Sequence, residues 1–348
     1  MQRYRYNTDI LFINKKRSTS AGDWSSGYTH THSSGLANSV NMVCQLLERV
    51  GYTAAVEEAI DNNCIDRLVN TYRPRMVVIE ALWVVPAKFD VLSRLHPHVT
   101  WFVRLHSEVP FLASEGMAMD WLSQYAEMYP RVRIGANSKR AVDDISKTLN
   151  VDVAYMPNYY VTEKIYSTKQ PSATTVDVGC FGAVRPLKNH LAQATAAIQY
   201  ANRNNKLLRF HINGGRVEGR GDSVLNNLRG LFQNNQHELV EHPWYSHDEF
   251  KEMLRTTIDV GMQVSFTESY NIVAADMVDC GVPVVASDEI KFVNYPCLAD
   301  PNDIDSMVDA LTIALWADRI RLHRINNLML AASNHAATKA WMRILRAY

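Results

Sequence analysis

Short apolar runs of strand length alternate with stretches of helical periodicity along most of the chain. The run "ILFI" at 10–13 is followed by "SSGLANSVNMVCQLLERVGY". Its apolar positions recur at helical spacing and predict an amphipathic helix from about Leu36 to Arg49, with Gly51 as its stop. "MVVIEALWVV", "HVTWFVRLH" and "RVRIGANS" read as further buried strands, and "VDVAYMPNYY" closes this half. Residues 161–177, "VTEKIYSTKQPSATTVD", are polar, contain Pro171 and read as a linker. The pattern then restarts. Strands over "VDVGCFG", "LLRFHINGG", "HELVEHPW", "IDVGMQVS" and "VPVVAS" are interleaved with helices over "NHLAQATAAIQYANRNN", "SHDEFKEMLRTT" and a segment starting near Ser269.

Strand–helix alternation of this kind predicts parallel sheets covered by helices on both faces. Two such runs predict an α/β protein of two facing, doubly wound Rossmann-like domains, at 1–165 and 175–325. Hydrophobic residues make up 47% and charged residues 21%, a globular profile. Lys plus Arg balances Asp plus Glu at 36 each, which argues against a chain dominated by contacts with polyanions, although a local basic groove would not register in that sum. The five cysteines are scattered, with no C-x-x-C pair, which suits a reduced intracellular protein and no zinc site. The apolar run near the N-terminus is too short for a signal peptide, and no stretch is long enough to cross a bilayer. A cytoplasmic protein with no integral membrane segment is expected.

The richest local chemistry lies in "GCFGAVRPLKNH". A strand ends at a glycine turn, and Arg185 and Lys188 follow three apart just before a helix. In a doubly wound sheet ligands bind beyond the carboxyl ends of the strands, where helix N-termini present free N–H groups. A guanidinium fork and an ammonium there match a diphosphate; a solvated basic turn fits the same residues. The chain has no G-x-G-x-x-G, only pieces such as Gly179 and Gly182, which counts against a nicotinamide or flavin protein. In "HINGGR", Gly214 and Gly215 end a strand and either admit a base or ribose or make an ordinary turn.

In "SFTESYNIVAADMVDCGVPVVASD" two carboxylates stand out. Glu268 lies at the expected start of a helix and Asp276 about two turns along it, in an otherwise apolar run. A buried carboxylate needs a partner or a ligand. Two acceptors on one side suit the hydroxyls of a sugar or ribose; an N-cap acid plus a paired core aspartate is the alternative. His30 and His32 raise a metal question, but no Cys or carboxylate cluster accompanies them. His106 follows a strand and suits either a cleft or the core. Trp24, Tyr28, Trp83, Trp101, Tyr159 and Tyr160 are candidates for stacking on a base or sugar, and equally for the core.

The string "ESYNIVAADMVDCGVPVVASD" resembles the E-x-F-G-x-x-x-x-E segment and following "GVPVVAS" of retaining glycosyltransferases with the two-domain GT-B fold, specifically the GT4-type group. "GAVRPLKN" resembles that group's phosphate loop and "FHINGG" its next strand and turn. "HPWYSHDEFKEML" and "IDVGMQVSFTES" follow in the expected order. In the first half, "SSGLANSVNMVCQLLERVGY", "VRLHSE" and "YMPNYY" are looser matches. The resemblance implies that Arg185 and Lys188 bind the diphosphate of a nucleotide-diphosphate sugar, a UDP-sugar. It implies that Glu268 contacts the transferred sugar and Asp276 the ribose. Asn271 and Ile272 would add backbone contacts, His106 would lie beside the sugar, and Gly35 would offer backbone N–H near the phosphates. Residues 326–348 would form a helix returning to the first domain. No cofactor and no metal are implied, since the two cations neutralise the leaving diphosphate.

Three departures stand out. Asp276 replaces the usual glutamate, Asn271 stands where glycine is usual, and the arginine-to-lysine spacing is short. The acceptor is open among a saccharide, a small molecule and a hydroxymethylated base in DNA. An epimerase or hydrolase of nucleotide sugars and a non-catalytic nucleotide-sugar binder compete with the transferase. The basic residues of "RIRLHRINNLMLAASNHAATKAWMRILRAY" leave a membrane-surface role to be tested against liposomes.

Overall fold

The computed structural model describes residues 5–16, 35–163, 166–317 and 319–348. His30, His32, Trp24 and Tyr28 lie outside the described residues. The chain divides into two compact units. The first holds the described residues up to Val161 together with Asn334–Tyr348; the second holds those from Thr162 to Ser333.

The first unit opens with β1 (Thr8–Lys15), α1 (Gly35–Arg49), β2 (Ala54–Ala59), α2 (Cys64–Tyr72) and β3 (Pro74–Glu80). It continues through α3 (Pro86–Leu95), β4 (Thr100–Leu105), the single turn α4 (Val109–Leu112) and α5 (Ala118–Glu127). It then runs through β5 (Val132–Ala136), α6 (Lys139–Leu149) and β6 (Val153–Tyr155). The six strands form one parallel sheet in the order β2-β1-β3-β4-β5-β6. Both faces of its central strands are covered, which is why they read as unbroken apolar runs. On β1, Ile10 and Phe12 join one core cluster while Leu11 and Ile13 join the other, and β3 divides Met76 and Val78 from Val77 and Ile79 in the same way.

The second unit holds β7 (Thr175–Val184), α7 (His190–Arg203), β8 (Leu207–Val217), α8 (Gly221–Gln233), β9 (Glu238–Glu241) and α9 (His247–Thr257). After these come β10 (Val260–Gln263), α10 (Ile272–Asp279), β11 (Val284–Ala286) and α11 (Ile304–Trp316). Its five strands are parallel in the order β11-β10-β7-β8-β9. Strand order reverses between β10 and β7, so two crossovers leave in opposite directions from adjacent strand ends.

The last helix, α12 (Arg319–Ala347), contributes residues to both units. Its C-terminal part belongs to the first unit: Trp341 is fully buried, meets Phe12 edge-on at 5.7 Å, and donates its indole N–H to the Pro157 carbonyl at 2.8 Å. Among the described residues no helix is long and apolar enough to cross a membrane.

Several local expectations are corrected. β2 and α2 had no counterpart in the pattern. β2 is the sheet's edge strand, mostly half-buried, and its Glu57 and Glu58 give no alternation strong enough to read. "MVVIEALWVV" is strand only to Glu80, because Ala81 turns the chain at φ 67° and Pro86 starts α3. The helix expected near Ser269 starts at Ile272, with Asn271 as its N-cap. β8 does not end at the glycines but runs through Gly214 to Val217.

Candidate active site

The site in the second unit is assembled where the strand order reverses. β7 ends beyond Gly182, whose φ of +110° suits glycine, and the Lys188 side chain lies across it. A short 3₁₀ turn, Pro186–Lys188, and Asn189 in the left-handed region then lead into α7. This loop is tied to the chain leaving β10. Phe266 donates its backbone N–H to the Leu187 carbonyl at 3.0 Å, and Asn189 donates to the carbonyls of Val264 and Pro301 at 3.2 and 2.8 Å. The amide of Gln193, fully buried, accepts from the Val264 N–H at 2.9 Å and donates to the Lys188 carbonyl at 2.7 Å.

These ties bring together residues 80 positions apart: Lys188 Nζ donates to Glu268 Oε1 at 2.5 Å. Both side chains are about nine-tenths buried, so the pair is little screened by solvent. Asn271 Nδ2 donates to the same oxygen at 3.3 Å and to Gln263 Oε1 at 2.9 Å. The backbone N–H of Glu268 is held by a Glu289 oxygen at 3.0 Å.

Arg185 extends from the end of β7 with Nη1 3.7 Å from Glu218 Oε2. The other oxygen of Glu218 accepts from Arg216 Nε and Nη2 at 2.8 and 2.6 Å, and the Arg216 guanidinium lies 4.3 Å from the centre of the Trp244 ring. Arg185 and Lys188 thus stand at the carboxyl end of β7, with Glu268 carried there by the segment after β10.

Asp276 sits in α10, 2% exposed, and accepts from His247 Nε2 at 2.7 Å. The hydrogen bond to Asp276 holds the His247 pKa above its ordinary range, against burial. Helical spacing cannot relate Glu268 to Asp276, because Glu268 precedes the helix. Ile272 is the first residue of α10. Gly214 lies on β8, and a Cβ there would sit 2.4 Å from Glu241 Oε2, so glycine is needed for strand packing beside the Glu241–Arg229 ion pair.

In the first unit, His106 follows β4 and is bonded through Nε2 to Glu80. Glu80 and Arg104 are register partners on β3 and β4, both fully buried. Arg104 also donates Nε to the Met156 carbonyl at 2.7 Å and Nη2 to Asn158 at 2.6 Å. Burial raises the Glu80 pKa, but Arg104 and His106 outweigh it and hold the carboxyl below its ordinary range. Burial and the Arg104 charge lower the His106 pKa, against the pull of Glu80, so the imidazole is neutral near pH 7. Gly35 is the first described residue of α1.

Glu80, Arg104, Gln193, Glu218, His247 and Gln263 were not singled out from the sequence. The available signal was a polar residue inside an apolar run, as in "MVVIE", "TWFVRL" and "VGMQV". Among the described residues no group of His, Cys, Asp and Glu is arranged to hold a metal ion.

No protein-family model matches the chain, and no curated protein matches it in sequence. Solved structures do match it in fold. Sucrose-phosphate synthase from Thermosynechococcus elongatus superposes with a TM-score of 0.67 at 12% identity, over 98% of this chain and 100% of that one. An α,α-trehalose-phosphate synthase (UDP-forming) from Burkholderia vietnamiensis gives 0.65 at 12% identity, covering 98% of each chain. The Anabaena protein HepE, in complex with UDP and glucose, gives 0.65 at 12% identity over 98% of this chain and 100% of that one. The likeness defines the class of fold: two parallel-sheet Rossmann-like domains of the GT-B type, shared with glycosyltransferases.

Proposed function

We propose that this chain is a retaining, metal-independent glycosyltransferase of the GT4-type group, moving a sugar from a UDP-sugar to a hydroxyl acceptor. The observation that carries the reading is the Lys188–Glu268 contact at the strand-order reversal, with Arg185 at the end of the same strand. A cation beside a carboxylate there matches the two ends of an activated sugar: phosphate oxygens accept hydrogen bonds and sugar hydroxyls donate them. The fold neighbours lend support, since one is named as UDP-forming and another was solved with UDP and glucose.

In this reading Arg185 and Lys188 take up the negative charge that develops on the leaving diphosphate. Glu268 accepts from the transferred sugar. Asp276, already bonded to His247, contributes its carboxylate to the ribose, and the N–H groups of Asn271 and Ile272 complete the donor's contacts. No side chain of the site is assigned as a covalent nucleophile. The acceptor hydroxyl attacks from the face the diphosphate leaves, and the departing phosphate oxygen takes its proton, so configuration is retained. The acceptor belongs to the hydroxyl class, as saccharide, small molecule or hydroxymethylated base in DNA, and the enzyme works in the cytoplasm.

A donor screen with mass analysis of products tests the reading, run with UDP-, GDP- and ADP-sugars against saccharides, lipid-linked saccharides and hydroxymethylated DNA. A sugar-mass increment on one acceptor, dependent on a UDP-sugar, is the expected result. Failure of UDP to bind the chain would overturn the donor assignment.

A further inference from the structure

We infer that Asn271 is a positioning residue that aims Glu268 at the transferred sugar; the inference rests on Glu268 being the sugar-contacting carboxylate. Its backbone, at φ −106°, is open to any residue, so asparagine is unstrained where relatives of this pattern have glycine.

The orientation of its amide is set from within the fold. Asn271 Oδ1 accepts the Ala274 N–H at 2.9 Å, capping α10, which turns Nδ2 the other way. There Nδ2 reaches Gln263 Oε1 and Glu268 Oε1. Gln263 is held in turn by donating to the Phe181 carbonyl at 3.1 Å, so its oxygen is available to accept. One side chain, 2% exposed, therefore joins the end of β10, the start of α10 and the Glu268 carboxylate.

The consequence lies in how donors are divided between the two carboxylate oxygens. Lys188 and Asn271 both donate to Oε1. Among the described residues none donates to Oε2. Holding one oxygen by two donors fixes the plane of the carboxylate and leaves the second to accept from a ligand hydroxyl. A lysine alone would not fix that plane, since an ammonium is a point charge free to rotate about its partner. The geometry also selects its ligand: the atom meeting Oε2 must carry a hydrogen, so a sugar carboxylate or ketone at that position is excluded.

The test compares full-length Asn271→Ser, Asn271→Asp and Glu268→Gln with the parent chain, by calorimetric titration with UDP and with UDP-glucose. Serine and aspartate both preserve the helix cap, so thermal melting should stay near the parent's. The preference for UDP-glucose over UDP should fall about tenfold in both Asn271 variants, the scale of one hydrogen bond to a charged group. Glu268→Gln should lose the preference. Parent-like preference in both Asn271 variants, with the preference lost in Glu268→Gln, would overturn the positioning role alone. A parent-like preference in Glu268→Gln would remove the sugar contact and this inference with it.

Discussion

The pair Arg104–Glu80 in the first unit and the pair Lys188–Glu268 in the second both lie beyond or at strand ends, and they are built differently. In the first unit Arg104 meets Glu80 with both side chains fully buried, and the guanidinium fork also reaches a backbone carbonyl and Asn158. In the second, Lys188 meets Glu268 through one short contact between groups that keep 10% and 7% of their surface. Arginine presents several donors in a fixed plane, so a partner set that uses the whole fork locks it in place. Lysine presents a compact charge on a flexible stem and can exchange one oxygen for another. The comparison separates a pair locked on several sides from a pair held through one contact, which under the proposed function opens to a phosphate and a hydroxyl.

The largest expected effect follows from breaking the locked pair. Arg104→Ala leaves Glu80 buried beside His106 and should cost about 3–5 kcal/mol in urea unfolding. Lys188→Ala should cost less stability than that, because Glu268 keeps the Asn271 amide. A Lys188 variant as unstable as the Arg104 one would erase the distinction. Next come the effects on transfer. Arg185→Ala should lower turnover about 10²–10³-fold, the scale of one donor to a developing oxyanion, with its unfolding curve unchanged. Turnover at the parent rate would remove Arg185 from the phosphate site. Glu268→Gln keeps the shape of the side chain but removes its charge, and should lower turnover about tenfold to a hundredfold; a fully active variant would place the sugar elsewhere.

The smallest effect is a dependence of stability on pH. The His106 pKa lies below its ordinary value of 6.5, so in the unfolded chain this group binds a proton that the folded chain refuses. Its contribution is therefore present above that value and drains away as pH falls through the lowered folded value. Glu80 follows the same sign further down, from its ordinary value of 4.5 toward its own lowered one. The difference in unfolding free energy between the parent and His106→Gln should narrow between neutral pH and pH 5, with a slope of at most about 1.4 kcal/mol per pH unit. A difference flat across that range would mean the imidazole titrates alike in both states.

How far the chain can be read in advance varies by region. The central strands of both sheets were legible because a parallel strand buried on both faces needs an unbroken apolar run. The edge strand β2 was not, since half-buried positions impose no such run. Arg185 and Lys188 stood out beside a glycine turn, Glu268 at the expected start of a helix, and Asp276 within an apolar segment. Their partners did not. Glu80 and Arg104 are each a single charge inside an apolar run, and only the register of β3 against β4 sets them side by side. The start of α10 was misplaced by three residues because Ser269 and Asn271 are both good cap residues, and tertiary hydrogen bonds chose between them.

Periodicity alone therefore determined that this is a chain of alternating strands and helices in two runs, since the burial of each residue's own side chain is a local demand on sequence. Tertiary structure alone decided that the loop after β7 meets the segment after β10, because adjacency in a parallel sheet depends on strand order. A lysine and a glutamate 80 residues apart become one site through that order.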